Sequence, residues 1–249
     1  MSSLKEIKTR IGSVKNTLKI TSAMKMVASA KLHKAQAAIG NKLPYEQQLH
    51  RMLAGLLQSE ELRESLRKEL GLGGNGGKSP VVLQDVAMDE LPVREDASRV
   101  AVVVFSSNSS LCGAFNANVV RRFNETMKQL EERGYSEEDI DVYAVGRKVA
   151  DAALKCGCVL KGDHSVMADK PSYEASSDLA SELIERFSEG EISQVIFIYS
   201  HFASTSSQPV VRENYLPLAL HDYGMSSMQE DYILEPDPMT LVKELLPKV

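Results

Sequence analysis

The 249-residue chain has no tryptophan, and only 6% of its residues are aromatic. So few rings argue against a platform that stacks nucleic-acid bases. Its three cysteines, Cys112, Cys156 and Cys158, are an odd and sparse set. They make neither a disulfide framework nor a paired C-x-x-C zinc site, and a reducing compartment is the simpler reading. No apolar run approaches the roughly 18 residues of a membrane-spanning helix. The N-terminus, MSSLKEIKTR, is charged within five residues and lacks an apolar signal core. It is read as uncleaved and cytosolic.

Signatures of catalysis are missing as well. Gly77-Lys78-Ser79 imitates the end of a phosphate-binding loop, but the position that needs the leading glycine is Leu72, and Pro80 follows. No serine lies in a G-x-S-x-G elbow, and histidines 33, 50, 164, 201 and 221 are scattered without an H-E-x-x-H. Cys112 is not followed six residues on by the arginine of a phosphatase loop; Asn118 stands there. Nothing assembles an acid, a base and a nucleophile, and no cofactor or metal is expected.

What is present is mechanical. Residues 1–34 carry eight lysines and arginines against Glu6 alone, so this arm holds +7 and the remainder −12 of a chain whose net charge is −5. A basic arm on an acidic body calls for an anionic partner surface or a solvated face. Leu4, Ile7, Ile11, Val14, Leu18, Thr21, Lys25, Ala28, Leu32, Ala35 and Ile39 follow one another at steps of three and four without a slip. That is the heptad seam of a left-handed supercoil. Ile20, Met24 and Val27 form a second stripe beside it, and a helix apolar over much of its girth is enclosed by something. Pro44 predicts a bend near 40–44 or the start of a separate helix, with periodicity resuming at Leu49 and running to about Leu70. No second seam of similar length occurs in the chain.

The domain plan is therefore a helical shaft arm over 1–70, a flexible linker over 71–98, an α/β domain over 99–238, and the start of a further helix at 239–249. Gly71–Pro80, GLGGNGGKSP, supplies the linker composition. Val100–Phe105, Asp141–Val145 and Gln194–Tyr199 read as buried strands, alternating with helices at 114–132, 147–155 and 173–188. Val210–Leu216 and Asp231–Leu234 read as further strands toward an edge. The fold class is α/β: a long N-terminal coiled-coil-type helix plus a three-layer domain with a mostly parallel sheet. In such a domain the default ligand site lies at the carboxyl ends of the strands. Here that is the polar loop Ser106–Gly113, which has no G-x-G-x-x-G and reads first as a hydroxyl-rich turn and helix cap.

Several segments carry a resemblance. Ile11–Ala30, IGSVKNTLKITSAMKMVASA, resembles the N-terminal helix of the gamma subunit of F-type ATP synthase. Lys31–Gln36, Pro44-Tyr45, Ser107–Asn118, Gly146-Arg147-Lys148, Tyr199–Val210 and Tyr232–Pro238 match the same family in the expected order. The resemblance implies a non-catalytic rotor subunit that couples proton translocation to ATP synthesis or hydrolysis. Its partners would be the alpha and beta subunits of the catalytic head, the epsilon subunit and the membrane c ring. Catalytic nucleotide sites would belong to the beta subunits. The chain would be peripheral, on the cytoplasmic face of an energy-transducing membrane such as the bacterial inner membrane, and held there only through the complex. Met24, Lys25, Met26 and Val27 would pass the collar of the head, with Lys25 facing acidic loops. Asn41, Tyr45, Ser204, Ser207 and Gln208 would meet the c ring or epsilon. The family's long C-terminal helix is represented only by its start, so the expectation is a truncated partner for the seam. Two rivals remain: an anion- or nucleotide-binding enzyme centred on Ser106–Gly113, and a nucleic-acid module using the basic arm.

Overall fold

The computed structural model describes residues 3–56, 81–82, 99–219, 235 and 237–245. The chain divides into two compact units, Met1–Leu53 with Val242–Val249, and Ala54–Leu241. Helix α1 runs from Leu4 to Leu56, about 80 Å at ~1.5 Å per residue. It is not divided into two helices at Gly40–Pro44. Pro44 removes the donor that would serve the Gly40 carbonyl, and Gly40 is exposed, so that carbonyl is open to water. Thr9, Thr17 and Thr21 turn their hydroxyls back onto the carbonyls of Lys5, Ser13 and Thr17. The hydroxyl on the seam is thus satisfied without help from another helix. Arm residues 57–70 and linker residues 71–80 and 83–98 lie outside the described residues.

The second unit is built on a five-stranded sheet. Its strands are β2 (Arg99–Phe105), β3 (Ile140–Val145), β4 (Val159–Leu160), β5 (Ile192–Ser200) and β6 (Val210–Leu216), in the order β4-β3-β2-β5-β6. All neighbours are parallel except β5 and β6. Ahead of this sheet, β1 (Val81–Val82) pairs in parallel with β7 (Leu218–Ala219), inside the stretch read as linker. Helices α2 (Phe115–Glu132) and α3 (Arg147–Lys155) cover one face; α4 (Ser165–Asp169) and α5 (Tyr173–Glu189) cover the other. A final helix, α6, spans Pro238–Leu245. The strand read at Asp231–Leu234 lies outside the described residues.

The two faces of β2 explain its unbroken apolar run. Val100, Val102 and Val104 pack with Val119, Phe123 and Leu130 of α2, while Ala101 and Val103 pack with Leu183 and Phe187 of α5. A strand sandwiched this way has no wet side on which to place polar residues. Serine caps α5 at its start, where Ser172 Oγ accepts from the Ala175 amide, and Gly190 ends it in the left-handed region. All three cysteines are free thiols. Burial pushes the Cys158 thiol up to about 11.

One charge sits inside this apolar sandwich. Asp141, on β3, is fully buried and faces α5. It accepts from Arg99 and from Arg186 Nη2 at 2.6 Å, with Lys161 Nζ at 3.8 Å. Arg186 also donates to the Tyr143 hydroxyl at 2.7 Å and to Glu191 at 2.8 Å, and Tyr143 donates to Glu182 at 2.7 Å. Burial alone would raise the Asp141 carboxyl; the hydrogen bonds from Arg99 and Arg186 outweigh it and hold the group below the usual carboxylate range. The network ties the first residue of β2, the second of β3 and the last turn of α5 together.

Two outcomes are expected in chemical denaturation. Asp141→Asn keeps the shape but leaves buried guanidinium charge uncompensated, and costs about 3 kcal/mol at pH 7. Because the folded carboxyl is depressed, its contribution is present above the unfolded value and is lost as pH falls through the folded one. The gap between parent and Asp141→Asn therefore narrows as pH falls below about 4, the unfolded carboxyl value; a constant gap would contradict this. Gly146 has φ +117°, and a Cβ there would collide with the Ser106 carbonyl and hydroxyl. Gly146→Ala is expected to lower stability by about 1–3 kcal/mol, and an unchanged unfolding midpoint would count against that packing.

Candidate interaction surfaces

The arm presents the most unusual surface. Every large aliphatic of the seam from Leu4 to Ile39 is exposed, with Val14 at 67% and Leu18 at 63%. The second stripe is equally bare: Ile20, Met24 and Val27 are exposed beside it. Large-side-chain burial on α1 begins only at Leu49. Met24, Lys25, Met26 and Val27 form one exposed turn of α1. Lys25 occupies a seam position and has no ion pair among the described residues. Asn41 and Tyr45 lie one turn apart on the same helix, both exposed.

Ser204, Ser207 and Gln208 are brought together in the connection between β5 and β6. His201 N donates to the Pro209 carbonyl at 2.9 Å and closes the base of this loop. At its tip Ser204 N bonds the Ser207 carbonyl at 3.0 Å and Ser207 N returns to the Ser204 carbonyl at 3.3 Å. Gln208 Nε2 donates to the Thr205 carbonyl at 3.0 Å. The loop is exposed, small and held by its own hydrogen bonds.

The polar loop after β2 is a latch. Ser106 Oγ accepts from the Val149 amide at 3.1 Å and Asn108 Oδ1 from the Arg147 amide at 2.9 Å, so the N-terminus of α3 is already capped. Asn108 Nδ2 donates to the Ser165 carbonyl at 2.8 Å and to Asp169 at 2.7 Å, reaching α4. Asn116 Oδ1 takes the Ser107 amide at 3.1 Å, and Asn116 Nδ2 gives to the Ser109 carbonyl at 2.8 Å. Two of the amides at the start of α3 that an anion would use, those of Arg147 and Val149, already have acceptors. His164 bonds the Lys161 carbonyl rather than a nucleophile. Sequence reasoning missed that Gly146 lies against Ser106 and that Asn108 bonds the Arg147 amide; a polar loop and a glycine each following a buried strand were the available signal. It also missed Asp141, whose signal was an acid inside the apolar run Ile140–Val145.

An exposed heptad seam on a long helix is the geometry of one strand of a coiled coil. The sequence comparisons give the family. The ATP synthase family model matches residues 3–249. The ATP synthase gamma chain of Phocaeicola vulgatus is 44% identical over 255 residues, covering 100% of this chain and 78% of that protein. The gamma chain of Bacteroides fragilis is 45% identical over 253 residues, again covering 100% and 78%. The chain belongs to the ATP synthase gamma-chain family. Among solved structures, the Tetrahymena thermophila mitochondrial ATP synthase central stalk and c-ring has a TM-score of 0.38 at 16% identity, covering 80% of this chain and 84% of that one. The Euglena gracilis mitochondrial OSCP/F1/c-ring assembly has a TM-score of 0.37 at 16% identity, covering 82% and 65%. Membership rests on the sequence matches.

An uncovered seam has a physical consequence for the isolated protein. Burying each large aliphatic is worth roughly 1.5–3 kcal/mol, and long helices gain most of their stability from packing. The purified chain is expected to self-associate through α1 or to fray along it. Hydrogen exchange checks this: amides at 4–32 should be weakly protected in the monomer and slow with rising concentration. Strong protection in a dilute monomer would overturn the expectation.

Proposed function

We propose that the chain is the central rotor subunit of an F-type ATP synthase, coupling proton translocation to ATP synthesis or hydrolysis without performing catalysis itself. The observation that supports this most is the heptad seam of α1, bare from Leu4 to Ile39 in a chain that matches gamma chains over its whole length. A shaft needs a long stiff element that other helices grip, and α1 offers one. The seam is read as half of an antiparallel coiled coil whose other half is a C-terminal helix of the kind the resemblance implies. The pair turns within the alpha and beta subunits of the head. Met24–Val27 is the turn that passes the collar, and the foot meets epsilon and the c ring through Asn41, Tyr45 and the Ser204–Gln208 loop. The chain is then peripheral, held at the cytoplasmic face through the complex. No described helix is long and apolar enough to cross a membrane.

Lys25 carries the electrostatic part of this reading. An aliphatic residue at its seam position would make a better coiled coil, whereas lysine lays its stem along apolar surface and keeps its ammonium at the rim. An acidic loop of the collar is the natural counter-charge. Lys25→Leu is expected to tighten self-association of the arm and impair coupling; Lys25→Glu impairs coupling more, because it sets like charges together in a partly dehydrated contact. The measurement is ATP-driven proton pumping at matched hydrolysis rates in a reconstituted complex whose rotor carries a full C-terminal helix. If both variants pump like the parent, the collar contact is misplaced.

A further inference from the structure

The C-terminal end of α3 brings two thiols together. Lys155 is the last residue of the helix, and Cys156, Gly157 and Cys158 lead from it into β4. Gly157 has φ +78°. Its amide donates to the Leu154 carbonyl at 3.2 Å, and the Cys158 amide reaches back to the Ala153 carbonyl at 3.1 Å. Those two bonds are the Schellman ending, which sets the glycine in the left-handed helical conformation. Helical geometry of either hand puts Cα atoms two residues apart about 5.4 Å from each other. A disulfide needs roughly 4.4–6.8 Å, so the turn spaces Cys156 and Cys158 for a bridge. Only glycine serves between them, because a Cβ at 157 would also meet the Glu137 carboxylate at 2.6 Å.

Both side chains lie toward α2. Cys156 Sγ is 3.8 Å from Asn124 Oδ1, and Cys158 belongs to the apolar cluster that holds the adjoining Phe123 and Met127. Their exposure differs: Cys156 is exposed, whereas Cys158 is buried. Burial first, and then the negative charge that Cys156, Glu137 and Glu131 can carry, keeps Cys158 as the neutral thiol. An oxidant therefore meets Cys156 first, with Cys158 behind it. An accessible cysteine poised next to a resolving one is the arrangement of a redox-sensing pair. Cys112 is placed differently, in the loop after β2 against Ser107 and Asn116, and provides an internal comparison.

We propose that Cys156 and Cys158 form a dithiol that a peroxide closes into a disulfide across Gly157. Hydrogen peroxide transfers one oxygen to the Cys156 thiolate, giving a sulfenic acid, and its other oxygen leaves as water. The Cys158 sulfur then attacks the Cys156 sulfur; the S–O bond breaks, and the hydroxide departs with the Cys158 proton as a second water. Two electrons pass from the thiols to the peroxide, and an added dithiol returns them. In a reducing compartment the pair rests as thiols and closes only transiently. The bridge fastens the end of α3 to the start of β4; it involves the body alone and does not depend on the rotor reading. Peptide mapping of the full chain tests it. Trypsin cutting after Lys155 and Lys161 releases residues 156–161 with both thiols on one peptide. After treatment with hydrogen peroxide, unfolding and blocking with a maleimide, that peptide should carry no maleimide and be lighter by two hydrogens. Dithiothreitol added before blocking should restore the label on both cysteines. The exposed-site variant Cys156→Ser should leave Cys158 reduced under the same treatment. Cys158→Ser should raise dimedone capture of sulfenic acid at Cys156 severalfold over the parent. Three results would each overturn the proposal: a lasting sulfenic acid at Cys156 in the parent, a bridge from either residue to Cys112 or to another chain, or oxidation of Cys112 while residues 156–161 stay reduced.

Discussion

An apolar seam that finds no cover along most of α1 is the constraint on which everything else depends. Water tolerates single exposed aliphatics, but a continuous row on a helix of about 80 Å is a surface made for another helix. The heptad step selects a left-handed supercoil with a partner helix of similar length. The back-bonded Thr21 hydroxyl lets the seam close over a polar residue without leaving it unsatisfied. Lys25, four residues on, is the place where the seam gives up apolar contact for charge. The arm is thus best described as half of a structure.

The body is fastened by polar contacts at both ends of its strands. At the amino ends of the strands, Asp141 gathers Arg99 and Arg186 from β2 and α5. At the carboxyl ends, Asn108 joins the β2 loop to α3 and α4, and Ser106 caps α3. Both replace water contacts of buried polar groups with fixed ones, the condition under which such groups rigidify a fold. The same contacts occupy the Arg147 and Val149 amides at the start of α3.

Much of this was legible in the sequence, for identifiable reasons. Val100–Phe105 declared itself because it is buried on both faces, and Val210–Leu216 was bounded by prolines at 209 and 217. The seam of α1 was legible because its period needs no tertiary information. What escaped was short or cooperative. Val159–Leu160 is too brief to show a period, as is the single turn of α4. Continuity of α1 through Pro44 depends on exposure of the Gly40 carbonyl, which no local pattern encodes. The turn at Met24–Val27 and the Ser204–Gln208 loop were named by resemblance, and the geometry adds that both are exposed.

Rotation of the body relative to a fixed head tests the rotor reading most directly. A bead can be tethered at Tyr173→Cys, an 84% exposed position on the α5 face, with Cys112 and Cys156 replaced by serine. With the head fixed to glass, the rotor carrying a full C-terminal helix and ATP supplied, the bead should turn in one direction and stop when ATP is withdrawn. A bead that stays still on complexes hydrolysing ATP at the parent rate would contradict the account.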